Sequence, residues 1–154
     1  MKLRQVRLSD PRVVPLLEGL AEEYERRYGP GDEMASVPDQ EFEPPDGEFL
    51  VLLENGLVVA GGGIRRFSRD TCEVKRMWTA PDHRRKGYAS AVLDALEQEA
   101  KNRGYAHLRL ETGPAQPEAR TLYDRRGYSR IPTYGRYEHA TAFEHPLDSG
   151  SEAP

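Results

Sequence analysis

Four consecutive cations or potential cations, His83-Arg84-Arg85-Lys86, run directly into Gly87 and then into an amphipathic segment with a small residue, Ala89, in its first turn. That arrangement can do one kind of chemistry well. A helix amino terminus presents unpaired amides and a partial positive charge, and both favour a phosphate. Gly87 lets the backbone come close to an anion, and the basic loop adds charge at the same place. The pattern is not a nucleotide P-loop, because Gly-x-x-x-x-Gly-Lys-Ser/Thr is absent. It is not a dinucleotide fingerprint either, since the three-glycine spacing is missing. Other reactive residue types say less. Cys72 offers a thiol but no arguable histidine partner, and reads as a plain buried thiol. His83, His107, His139 and His145 lack metal-ligand spacing. Arg65, Arg66 and Arg69 read as the solvated basic tip of a hairpin.

The elements that must position the basic loop follow from periodicity and punctuation. A strand is expected over residues 2–8, stopped by Ser9-Asp10-Pro11. Ser9 or Asp10 can cap a helix that begins at Pro11, and Val13, Leu16, Leu17, Leu20 and Tyr24 give it an inner face to about Tyr28. Residues 29–48 hold seven acidic side chains, no basic ones and four prolines, so a long loop is expected there, functional or disordered. An apolar run over residues 49–53, the pair Asn55-Gly56 and a second run from Leu57 predict a hairpin. Gly61-Gly62-Gly63 lets the second strand bend or lets something approach its backbone. After a turn at residues 68–70 a third antiparallel strand, 72–79, leads into the basic loop. The helix over 87–103 carries an apolar stripe of Ala89, Val92, Leu93, Leu96 and Ala100 and stops at Gly104. A strand over 107–111, a helix from Pro117 to Gly127 with Ala119, Leu122 and Tyr123 inward, and strands over 128–131 and 141–147 complete the order. This is one mixed sheet covered by helices, an α/β or α+β domain.

The bulk properties agree. The chain has 154 residues, which suits one core; residues 1–147 are expected to form a single domain and 148–154 an unordered tail. The net charge of -4 and a pI near 5.6 give no general attraction to nucleic acid or membranes. No apolar run approaches a membrane span, and the amino terminus has no apolar signal core. A single cysteine excludes an internal disulfide and makes a reducing, cytoplasmic setting the simplest expectation.

Two motifs in order sharpen this reading. Arg84-x-x-Gly87-x-Ala89 resembles the Arg/Gln-x-x-Gly-x-Gly/Ala signature of the GNAT superfamily of N-acetyltransferases. Leu122-Tyr123-Asp124-Arg125-Arg126-Gly127-Tyr128 is similar to that family's Leu-Tyr-x-x-x-Gly-Phe/Tyr. Phe143-Glu144-His145-Pro146-Leu147 resembles its closing strand, while Glu73-Val74-Lys75-Arg76-Met77, Leu110-Glu111-Thr112-Gly113 and Gln116-Pro117-Glu118-Ala119 are similar to a bacterial branch whose acceptors are mostly unassigned. The resemblance covers residues 49–147.

The resemblance implies a mostly antiparallel sheet splayed at two parallel strands, with helices on both faces and acetyl-CoA in the notch as acyl donor, without a metal. Met77, Trp78 and Thr79 would offer backbone groups to the acetyl carbonyl and pantetheine arm. Arg84, Arg85, Lys86, Gly87, Tyr88, Ala89 and Ser90 would wrap the pyrophosphate. Gln116, Ala119 and Tyr123 would line the other wall. Tyr123 matches the tyrosine that protonates the departing thiolate. Glu73 matches a glutamate recurrent in the branch and is the favoured base, with Glu111 its competitor. The implied reaction is direct transfer of an acetyl group to a primary amine of a small molecule or peptide. The acidic segment 29–48, with Asp39, Glu41 and Glu43, lies where the family binds its acceptor and is expected to favour a cationic one. A homodimer is possible. Two other readings stay open: an acyl-CoA sensor of the same fold without turnover, and a nucleic-acid module built on residues 65–86. The catalytic pair argues against the sensor. The acidic pI and missing stacking aromatics argue against the nucleic-acid module.

Overall fold

A computed structural model describes residues 1–29, 37–135 and 139–147. Seven strands form one sheet in the order β1-β2-β3-β4-β5-β7-β6. β1 (Lys2–Gln5), β2 (Glu48–Glu54), β3 (Leu57–Arg66) and β4 (Thr71–Thr79) pair antiparallel in sequence. β5 (His107–Thr112) joins β4 in parallel, and β7 (Thr141–Pro146) closes antiparallel on β5 with β6 (Ser129–Ile131) outside it. α1 (Val14–Tyr28) covers one face; α2 (Tyr88–Asn102) and Tyr123 of α3 (Pro117–Arg125) pack into the other.

The unbroken apolar run of β2 follows from this sandwiching. Leu50 and Leu52 join the cluster under α2, with Val92, Leu93 and Leu96. Phe49 and Val51 join the cluster under α1, with Leu16, Leu20 and Phe42. A strand buried on both faces has no polar alternate positions. The hairpin turns where Asn-Gly predicts it, with Asn55 and Gly56 both at positive φ.

The three glycines of β3 matter because neighbours close on them. A Cβ on Gly61 would sit 2.6 Å from Leu16 Cδ1, and one on Gly62 only 2.3 Å from Met77 Sδ. Opposite them β4 carries an extra residue. Gly61 pairs with Trp78 and Gly63 with Lys75, so Arg76 and Met77 together face Gly62, and Arg76 takes φ +61°. This bulge exchanges faces along β4. Val74 points into the α2 cluster, yet Trp78, four residues on, points into the α1 cluster.

Two boundaries near the amino terminus differ most from expectation. β1 ends at Gln5, although Val6 and Leu8 are buried beyond it. Residues 11–13 form a 3-10 turn capped by Asp10, which accepts from Arg12 N–H at 2.9 Å, and the α-helix starts only at Val14. Within the long loop, Asp39–Phe42 forms a 3-10 turn whose Phe42 is buried against Phe49. Residues 30–36 of that loop and the tail 148–154 lie outside the described residues.

Candidate active site

β4 and β5 are hydrogen-bonded neighbours at only three register positions, Thr71↔His107, Cys72↔Leu108 and Glu73↔Arg109. Beyond Glu73 the strands part, while β4 runs on to Thr79 and β5 to Thr112. The parting leaves a wedge between them and a stretch of β4 edge without a strand partner, and unpaired backbone groups of that kind invite a ligand with its own amides. A cavity of about 120 Å³ occupies the wedge. Glu73, Met77, Glu111, Gln116, Ala119 and Tyr123 line it, and Tyr24 and Tyr28 close it from α1.

The basic loop stands at the far end of β4. A 3-10 turn, Pro81–His83, leads to Arg85 and Gly87, both at positive φ. Gly87 caps α2 without a side-chain bond, and a Cβ built on it would meet nothing within 4 Å. The first helical bond runs from Ala91 N–H to the Gly87 carbonyl, so the amides of Tyr88, Ala89 and Ser90 precede the ladder. Arg85 and Lys86 are exposed and carry no ion pair among the described residues, whereas Arg84 leans on Glu23 of α1 at 3.3 Å. His83 faces Glu54 at 3.6 Å, and Glu54 also accepts from the Tyr88 hydroxyl.

Tyr123 meets both the core and the wedge. It is almost wholly buried, with ring centroids 5.4 Å from Tyr128 and 5.6 Å from Phe143. Loss of solvation, reinforced by the neighbouring Tyr24, pushes its phenol far above the ordinary tyrosine value. Such a group holds its proton at neutral pH.

Opposite, the two glutamates are held by different elements. Glu73 is 5% exposed. Its Oε1 accepts from Arg65 Nη1 at 2.8 Å and its Oε2 from the Tyr134 hydroxyl at 3.0 Å. Glu111 Oε2 accepts from the backbone amides of Tyr134 and Gly135, each at 3.0 Å. Arg65 itself continues to Glu41 at 2.6 Å.

Several expectations change here. Arg65 is no solvated tip; it bridges two carboxylates behind the cavity wall. Among the described residues of the acidic loop, Asp39 pairs with Arg76, Glu41 with Arg65, Asp46 with Arg66 and Glu48 with Arg103. Those carboxylates tie the loop to the sheet. Trp78 does not line the cavity, and its indole is buried against Gly19 of α1, where an added Cβ would lie 2.5 Å from Nε1, which is compatible with the backbone role expected of it. Thr79, Arg84, Arg85, Lys86, Gly87, Tyr88, Ala89 and Ser90 do not line the cavity but follow from its β4 wall. Cys72 is buried under α2 and desolvation raises its thiol to about 12, which removes it as a nucleophile. Among the described residues no group of three His, Cys, Asp or Glu side chains is disposed to hold a metal ion, and no helix is long and apolar enough to cross a membrane.

Tyr134 and Arg65 were missed by sequence reasoning. Arg65 had a usable signal. A turn centred at residues 68–70 sets 65 opposite 73, a cross-strand Arg–Glu pair. Tyr134 had none, because it reaches Glu73 from 61 residues away in a loop without periodicity.

Comparison with known proteins agrees with this geometry. The model of the Acetyltransferase (GNAT) family matches residues 17–128. The chain is 28% identical over 137 residues to YjgM, an uncharacterized N-acetyltransferase of Escherichia coli (strain K12), covering 84% of this chain and 82% of that protein. It is 33% identical over 122 residues to an IAA acetyltransferase of Azospirillum brasilense, covering 77% and 80% respectively. In fold it resembles a GNAT family acetyltransferase from Elizabethkingia anophelis with acetyl-CoA bound, with a TM-score of 0.71 at 18% identity over 95% of this chain and 97% of that one. The splayed strands, the uncapped helix after them and the matched span lead to one conclusion: the chain belongs to the acetyltransferase (GNAT) family.

Proposed function

We propose that the protein transfers an acetyl group from acetyl-CoA directly to a primary amine of a small molecule or peptide. The observation that carries this reading is the wedge where β4 and β5 part, with Tyr123 and Glu73 both on its cavity and a cationic, uncapped helix terminus beyond it.

The donor has two halves with different needs. Its pyrophosphate suits the amides of Gly87, Tyr88, Ala89 and Ser90 and the charges of Arg84, Arg85 and Lys86. Its amide-bearing arm suits the open β4 edge at Met77, Trp78 and Thr79, with Gln116 and Ala119 on the facing wall. An alkyl ammonium must first lose a proton, since its ordinary value is near 10. Glu73 takes that proton, directly or through a water. The amine nitrogen then attacks the thioester carbonyl carbon, and backbone N–H groups of β4 stabilise the oxyanion, an effect of roughly 3 kcal/mol per donor. Collapse forms the amide and breaks the C–S bond; the thiolate takes the Tyr123 phenolic proton, the nitrogen sheds its second proton, which returns through solvent to the Tyr123 phenolate, and Glu73 releases the first to solvent. Burial keeps that phenol protonated at neutral pH, so its proton is in place when the thiolate departs.

Release of free thiol from acetyl-CoA against a panel of amines tests the reading. Amine-dependent release is expected, with kcat/KM for the amine falling about 100-fold in Glu73→Gln. CoA binding without release for any amine would instead mark an acyl-CoA sensor.

A further inference from the structure

Among the described residues one loop touches both candidate bases, and it is the one that leads from β6 toward β7. Three features fix it. Tyr134 sets its ring edge-on to Phe67 of the β3–β4 turn, with centroids 5.2 Å apart. The Arg109 guanidinium lies 4.6 Å from the Phe67 centroid and 4.8 Å from the Tyr134 centroid, anchored by Glu144 at 2.6 Å. The amides of Tyr134 and Gly135 both close on Glu111 Oε2. The fit at Gly135 is tight, since a Cβ there would stand 2.1 Å from Glu111 Oε1. These contacts seat Tyr134 and Gly135, and that seating delivers the Tyr134 hydroxyl to Glu73.

We infer that Tyr134 is the positioning residue for Glu73 in amine deprotonation, orienting the carboxylate so that its free lone pairs face the cavity. This rests on the proposed role of Glu73 as base. An ionised carboxylate has about four acceptor sites on its two oxygens. Arg65 takes one on Oε1 and Tyr134 takes one on Oε2, so rotation of the group is blocked and one site on each oxygen is left. Without Tyr134 the carboxylate keeps a single anchor and can swing toward Arg65. The charged surroundings of Glu73 are Arg65 from β3 with Glu41 behind it, Arg109 and Glu111 from β5, Lys75 on its own strand, and the Tyr134 phenol from the loop. Burial first, then the Glu73 charge, pushes the Tyr134 phenol up, so it stays a donor throughout the range in which the amine is deprotonated.

Tyr134→Phe tests this, because phenylalanine keeps the ring against Phe67 and Arg109 and removes only the hydroxyl. The expected result is a fall of about tenfold in kcat/KM for the amine, with KM for acetyl-CoA unchanged, since only the acceptor side loses its orienting donor. CoA affinity by calorimetry should stay at the wild-type value, which also reports an intact fold. In a Glu73→Gln background the same substitution should add less than twofold, because two residues acting through one another do not add. A wild-type kcat/KM for Tyr134→Phe would overturn the inference. So would a full tenfold further loss in the Glu73→Gln background. A Glu73→Gln enzyme as active as wild type would sink the base assignment itself, a different failure with a different signature.

Discussion

The proposed donor and acceptor ends of the site are built by opposite strategies. At the proposed donor end lies one contiguous piece of chain: the end of β4, a turn, a basic loop and a helix terminus, where backbone amides would face the ligand. At the acceptor end, side chains converge from separate places. Glu73 comes from β4, Arg65 from β3, Glu41 from a 3-10 turn, Glu111 from β5 and Tyr134 from a loop. A backbone-built site tolerates side-chain change and fails when its conformation changes. A side-chain network fails one atom at a time. The comparison implies that lesions at the two ends separate kinetically, each moving the parameters of its own substrate.

Tyr123 stands where the two ends meet and offers the largest effect. Tyr123→Phe keeps the ring against Tyr128 and Phe143 and removes the proton donor. We expect kcat to fall by about 10²–10³-fold with CoA affinity unchanged, read by steady-state thiol release and calorimetry. A loss confined to KM for acetyl-CoA would mean that Tyr123 is a wall of the donor channel rather than the acid. The donor end can be broken alone through Gly87, whose φ of +80° is costly for any residue with a Cβ. Gly87→Val strains the helix entry by roughly 1–2 kcal/mol, about five- to thirtyfold in CoA affinity. KM for the amine should not move. If both substrates weaken together, the two ends are not independent.

The same difference explains what could be read from the chain alone. The donor end is local, so a run of cations, a glycine and an amphipathic stripe expose it directly. The mixed sheet was legible for the same reason, through the Asn55-Gly56 turn, the two-sided apolar run of β2 and the stripe of α2. The acceptor end is written in contacts between residues up to 61 positions apart, and no local pattern encodes Tyr134 meeting Glu73. The bulge at Arg76 was hidden too, because only the register against β3 shows that one residue is extra. The acidic loop is only partly legible. Its carboxylates have no cation nearby in sequence, but four of them, Asp39, Glu41, Asp46 and Glu48, meet arginines of β3, β4 and the end of α2.

Those pairings predict a structural phenotype. Asp39 receives Arg76 Nη1 at 2.9 Å, and Arg76 is only 7% exposed, stacked 4.8 Å from the Phe42 centroid and donating to the Val37 carbonyl. Asp39→Asn removes charge from one partner of a buried cation, at a cost of about 1 kcal/mol given the exposure of Asp39. Tm should fall by roughly 2–4 °C for a chain of this size. KM for the amine should change less than twofold. A large rise in amine KM at unchanged Tm would make the loop an acceptor-binding surface.

The smallest effect is expected one residue from the proposed base. Cys72 and Glu73 are neighbours on β4, but a strand turns alternate side chains to opposite faces. Cys72 enters the cluster under α2 with Leu93, Leu96 and Leu108, while Glu73 enters the cavity wall. Only the thiolate reacts with an alkylating agent, and desolvation lifts the Cys72 thiol to about 12. The sign is that of a buried acid: the neutral form is favoured in the folded state, so at pH 8 the native protein should resist iodoacetamide and label only on unfolding. Cys72→Ala should leave both kcat and amine KM within twofold of wild type while lowering stability slightly through the small cavity it opens. Rapid labelling of native protein with matching loss of activity would place a reactive thiol in the acyl path, and the division of β4 into a core face and a chemical face would then be wrong at this residue.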